Sequence, residues 1–129
     1  MTYGIIATDT IQSSTTGTPP QFNDGSGTQI GTLCRAWVSF SGSATPTINA
    51  SFNVSSITYT STGTFTVNFA NALADNKYAF ATSAGNVNST LYGCYQYGST
   101  LSTTGISINT STFAGVSANV TNNCVSIFR

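Results

Sequence analysis

From residue 33 to residue 69 the chain alternates apolar with small polar side chains through three successive segments. Successive side chains of a strand point to opposite sides, so this pattern sorts residues onto faces. Ala36, Val38 and Phe40 fall on one face of a first strand, and Ile48, Ala50, Phe52 and Val54 on one face of a second. Phe65, Val67 and Phe69 share a face of a third. The opposing positions are Thr, Ser and Asn. A short strand around Ile57 and Tyr59 precedes Ser61, Thr62 and Gly63, which predicts a hairpin with the 65–69 strand. Residues 70–76, ANALADN, are too short and too poorly capped for a helix and read as a connection. Further strands are predicted at about 78–82, 90–97, 106–109, 113–120 and 124–128, separated by Gly, Ser, Thr and Asn. Short strands at this spacing, with no helix to cover parallel crossovers, predict an all-β fold: an antiparallel β-sandwich or jelly roll.

The first thirty residues follow a different pattern. Ile5, Ile6 and Ile11 are their only sizeable aliphatics before residue 22, and the stretch 13–20, SSTTGTPP, favours extended backbone at its tandem prolines. The expected division is an extended N-terminal arm or edge strand over 1–30 and a sandwich over 31–129. Within the arm, NDGSG at 23–27 is a chain reversal, with Asp24-Gly25 supplying the positive φ of a tight turn.

Composition changes this picture mainly through what it removes. Only 5% of the 129 residues are charged, against about 25% in ordinary soluble domains. The 40% hydrophobic and 12% aromatic content still supports a folded core, since disordered chains lack these residues. A net charge of zero without a basic patch leaves no footprint for nucleic acid. No segment approaches the roughly 20 apolar residues of a membrane span, and MTYGIIATDT lacks the basic start of a signal peptide. The sequence therefore predicts neither a nucleic-acid nor a membrane partner, and synthesis as a soluble chain in a cytoplasm.

Candidate chemistry is sparse. There is no His, the commonest general base, and Lys77 alone could activate a nucleophile. The carboxylates Asp9, Asp24 and Asp75 are scattered in turn-like or arm-like contexts, whereas glycoside hydrolysis and calcium binding need them grouped. Cys34, Cys94 and Cys124 show no zinc spacing and read as buried free thiols, with a Cys34–Cys124 disulfide open if the first and last core strands are neighbours. Five N-x-S/T sequons, at Asn49, Asn53, Asn88, Asn109 and Asn119, carry little weight in a chain so rich in Asn, Ser and Thr. The prediction is no enzyme, no cofactor and no metal. Two features are left as candidate glycan or subunit contacts. Tyr92, Tyr95 and Tyr97 offer flat apolar area with polar tips, Tyr92 on the side opposite the other two. Arg35 is the one charge inside a core-like strand and favours a structural or subunit contact.

RAWV at 35–38, ASFNVSSI at 50–57, TGTFTVNF at 62–69 and the closing VSIFR at 125–129 resemble a module of virion proteins from tailed bacteriophages, particularly phages of cyanobacteria and other aquatic bacteria. The resemblance covers about residues 31–129, and TDTIQ at 8–12 is more weakly similar to leader segments of phage fibre proteins. It implies a virion structural protein whose β domain trimerises or decorates a lattice. The absence of a shaft, heptads or repeats favours a capsid decoration (cement) protein on the outer surface. Its implied partners are the major capsid protein and copies of itself, as a homotrimer. The alternative implied by the same resemblance is a tail-fibre or spike tip that binds a host glycan.

Overall fold

The computed structural model describes residues 8–14, 20–86, 91–98 and 101–129. Ile5 and Ile6, most of the 13–20 stretch, Asn88 and Thr90 lie outside the described residues. The chain divides into two units, Met1–Leu33 and Cys34–Arg129. In the first unit, β1 (Phe22–Asn23) pairs antiparallel with β2 (Gln29–Gly31). The reversal between them is closed by Asp24, whose backbone N–H donates to the Thr28 carbonyl at 2.8 Å. Asp24 Oδ1 accepts from the Ser26 N–H, the Ser26 hydroxyl and the Thr28 N–H at 2.7–2.9 Å. The positive φ sits at Gly27 (88°), not at Gly25 as the Asp-Gly pair suggested. A three-residue loop of this kind places its left-handed residue last.

The second unit is all-β among the described residues, and consists of two four-stranded antiparallel sheets packed as a sandwich. Its strands are β3 (Cys34–Ser41), β4 (Thr47–Phe52), β5 (Val54–Ser61), β6 (Thr64–Phe69), β7 (Ala79–Gly85), β8 (Tyr92–Gln96), β9 (Gly105–Thr112) and β10 (Asn122–Phe128). The first sheet has the order β4-β3-β10-β7 and the second β5-β6-β9-β8. The two central strands of each sheet supply most of the core. Ala36, Val38 and Phe40 of β3 and Val125 and Ile127 of β10 face Phe65, Val67 and Phe69 of β6 and Ile106 and Ile108 of β9, all buried. Phe40 and Phe65 meet edge to face with ring centroids 5.4 Å apart, the arrangement that aromatic quadrupoles favour.

Leu73 and Tyr78 close one end from the connection between β6 and β7. The Tyr78 hydroxyl lies 3.2 Å from both the Ser102 and Gly105 carbonyl oxygens, so a buried phenol is satisfied by backbone.

Three expectations are corrected. The run Ile48, Ala50, Phe52, Val54 is not one buried face. The β3–β4 register shifts between Ser39 and Phe40, so Ile48 pairs with Phe40 while Ala50 pairs with Ser39. A bulge of this kind rotates the strand, so Ile48 packs on the core from β4 and Val54 from β5, while Ala50 and Phe52 are exposed. Asn53 then adopts φ = 55° and sends the chain to the other sheet, where Val54 begins β5.

Residues 113–120 form no strand either. Gly115 has φ = 78°, the Gly115 N–H donates to the Thr112 carbonyl, and Phe113 and Val116 are exposed. What remains is a tight return, with an isolated bridge between Ser111 and Ser117. The thiols differ as well. All three are free, and Cys124 is exposed. Strands β3 and β10 are indeed neighbours, but Cys34 pairs with Phe128 and Cys124 with Ser39. That offset of five residues along β3 is about 16 Å, far beyond disulfide reach.

Candidate functional site

A sandwich turns one face of each sheet away from the core, and the two outer faces here differ in chemistry. On the first sheet, Phe52, Trp37, Ser126 and Ala81 pair directly across all four strands. The next row is Ala50, Ser39, Cys124 and Ser83, and Phe128 stands beside Ala79. Phe52 is 54% exposed, Trp37 39% and Phe128 36%. Ala50, Ala79 and Ala81 are exposed too. The four strands contain one charged residue, Arg35, which is half-buried on β3 two positions before Trp37. The result is a face with a single charge, Arg35, and three large apolar side chains open to solvent, Phe52 on the edge strand β4 and Trp37 and Phe128 on the central strands β3 and β10.

The outer face of the second sheet is built from hydroxyls and amides. Thr58, Thr66 and Ser107 pair in one row across β5, β6 and β9. Thr66 and Ser107 share a hydroxyl–hydroxyl hydrogen bond of 2.8 Å. The Asn68 amide donates to the Ser56 hydroxyl at 3.0 Å and the Thr58 hydroxyl at 2.9 Å. Thr64 and Asn109, on the same side of the sheet, are buried: the Asn109 amide donates to the Thr64 hydroxyl at 2.9 Å and to the Ser117 hydroxyl at 3.2 Å. At the edge of this face run Tyr95, opposite Asn109 on β9, and Tyr97, whose N–H donates to the Ser107 carbonyl at 2.8 Å. They are 49% and 53% exposed.

These positions separate the candidates drawn from sequence. Tyr95 of β8 and Tyr97, one residue past its end, lie on one side of the chain; Tyr92 and Cys94 lie on the other and are half-buried. Burial pushes the Cys94 thiol above its usual range, which suppresses the reactive thiolate. Arg35 belongs to the other sheet, so it forms no common site with the tyrosines. Sequence reasoning missed Phe52 as a surface residue, because the bulge that reverses the phase of β4 after Ile48 leaves no mark in the alternation.

Asp24, Asp75 and Arg129 are engaged structurally. Arg129 grips Asp75 through two hydrogen bonds, Nε to Oδ1 at 2.9 Å and Nη2 to Oδ2 at 2.5 Å. This contact holds the Asp75 carboxyl below its ordinary range, helped by the Lys77 backbone N–H. The Ser26 hydroxyl and the Thr28 and Ser26 N–H groups do the same for Asp24. Among the described residues no cluster of His, Cys, Asp or Glu could hold a metal ion, and no helix is long and apolar enough to cross a membrane.

Comparison with protein-family models gives no match, and neither curated proteins nor solved structures match the chain.

Proposed function

We propose that this chain is a structural module of a tailed-phage virion, a capsid decoration protein. It self-associates through the outer face of its first sheet and attaches as a homo-oligomer to the major capsid protein. The observation that carries this reading is the row Phe52, Trp37, Ser126, Ala81 with Phe128 and Ala79 beside it. Contiguous apolar area on a soluble chain marks a surface that another protein covers. With Arg35 as its one charge, this face selects a partner surface that is itself nearly free of charge, because further charges buried against it would go unpaired. A second copy of the chain offers such a face without further specification. A trimer is the assembly expected from the resemblance in its strands.

The same chemistry explains why so few charges are tolerable. Ser, Thr and Asn hydrate the remaining surface, and the apolar face is lost from solvent once the copies assemble. Quantitative mass spectrometry of purified particles tests the placement. A decoration protein is present at a ratio to the major capsid protein fixed by the capsid lattice, at tens of copies or more. A copy number matching the few-fold symmetry of tail components would move the module to a fibre or spike, and absence from the particle would end the virion reading.

A further inference from the structure

The second sheet carries a feature that self-association through the first does not use. We propose that Tyr95 and Tyr97, with the hydroxyl row Thr58, Thr66, Ser107 and the amide of Asn68 beside them, form a binding platform for an uncharged polysaccharide. The two tyrosines occupy alternate positions on one side of the chain, at and just past the end of an edge strand, so their Cα atoms lie about 7 Å apart. Both are about half exposed, and neither takes part in the ring contacts of the core, which join Phe40 to Phe65, Tyr59 to Phe65 and Phe69 to Tyr78. An exposed ring beside hydroxyls suits a pyranose, whose C–H face stacks on the aromatic while its hydroxyls take hydrogen bonds from the flank.

The flank is preorganised. Thr66 and Ser107 hold each other at 2.8 Å, and Asn68 ties Ser56 to Thr58, so donors and acceptors stand fixed before a ligand arrives. Charge decides among ligand classes. Strands β5, β6, β8 and β9 contain no Asp, Glu, Lys or Arg. A nucleic acid or an anionic glycan would find no cation on this sheet. A protein partner of ordinary affinity needs a larger apolar centre than two rings, and that kind of surface lies on the other sheet.

The platform is independent of where in the particle the module sits. Affinity gel electrophoresis of the full chain tests it, with a neutral glucan, a neutral mannan and a neutral galactan as probes and polygalacturonate as the charged control. At least one neutral polymer should retard the protein and polygalacturonate should not. Replacing both rings, Tyr95→Ala with Tyr97→Ala, should weaken retardation by about tenfold or more, the equivalent of about 1.4 kcal/mol. The pair Tyr95→Phe with Tyr97→Phe keeps the stacking surface and should stay within about threefold of wild type. Thr66→Val should weaken binding while leaving both rings in place.

Trp37, the single tryptophan, lies on the outer face of the opposite sheet and serves as an internal reference. Its emission should not change when the polymer binds. Failure of all three neutral polymers to retard the protein overturns the proposal. So does wild-type binding by a folded alanine variant, a change in Trp37 emission on binding, or retardation by polygalacturonate alone. None of these outcomes bears on the copy number that tests the capsid placement.

Discussion

At the scale of single residues, Asn53 does the most. It takes a left-handed backbone where the chain leaves the first sheet for the second. Its amide nitrogen donates to the Arg35 and Asn71 carbonyls at 3.1 and 3.2 Å, and its Oδ1 accepts from the Asn71 N–H at 2.8 Å. Asparagine tolerates this conformation better than other side chains that could make these bonds. Asn53→Ala should cost about 2–4 kcal/mol, from backbone strain and lost hydrogen bonds. Asn53→Gly keeps the backbone free and should cost less, a ranking that urea denaturation measures. Equal losses for the two would show that φ at 53 is unimportant. Gly42 is a second constrained point. A Cβ there would meet the Asn123 amide nitrogen at 2.7 Å and the Val120 carbonyl oxygen at 2.8 Å, inside a cluster whose side chains are fully buried.

Titration belongs to this scale as well. Asp24 and Asp75 are held below their ordinary value of 3.8 in the folded chain. A carboxylate depressed by folding contributes stability that is present above its unfolded pKa and is lost as pH falls through the folded one. Burial raises the Cys94 thiol above 9.0 and the Tyr78 phenol above 10.0. Those groups favour the folded state below their unfolded values, and the advantage is lost as pH rises through the folded ones. With no His in the chain, the melting temperature should be flat from about pH 5 to about pH 8 and fall below about pH 4 and above about pH 9. A midpoint that moves strongly between pH 6 and 7 would contradict the set of groups involved.

At the scale of elements, most strands were legible in the sequence, the central ones and the edges β5, β7 and β8 alike, with the β5–β6 hairpin; the facing of the edge strand β4 and the 113–120 return were not. β3, β6 and β10 bury their alternating residues as the pattern implies, since their inward faces meet a second sheet. β4 shows the same alternation but is an edge strand with a bulge, so the phase that buries Ile48 exposes Phe52. The 113–120 segment carries β-forming residues around a glycine, and the glycine won. Its left-handed φ makes the turn that returns the chain to Gly63, whose N–H donates to Asn119 Oδ1 at 2.8 Å. Tyr95 and Tyr97 could be assigned to one face from spacing alone, yet the hydroxyl rows beside them depend on strand order, which no local pattern encodes.

These element assignments predict opposite responses to polar substitution. Val67→Asp places an unpaired carboxylate at the centre of the core, at a cost of several kcal/mol, comparable to a small domain's whole stability. Val116→Ser, on the exposed return, should change stability by less than about 0.5 kcal/mol. Thermal unfolding followed by circular dichroism compares them. A cooperatively melting Val67→Asp chain would overturn the position of β6, and a collapse of Val116→Ser would restore a buried strand at 113–120.

At the scale of the molecule, the two outer faces divide the work. One is largely apolar and carries Arg35 as its single charge; the other is hydroxyl-rich and edged with tyrosine. Three of the six charged side chains fasten an end or a turn: Asp24 in its loop, and Arg129 with Asp75. Self-association through the first face is the claim on which the functional reading rests, and the most direct measurement is the solution mass of the full chain at micromolar concentration, by sedimentation velocity. Wild-type protein should sediment as an oligomer, and the variant Trp37→Ser with Phe52→Ser, altered only on the outer face, should sediment as a folded monomer. A monomeric wild type, or a variant that keeps the wild-type mass, would contradict it.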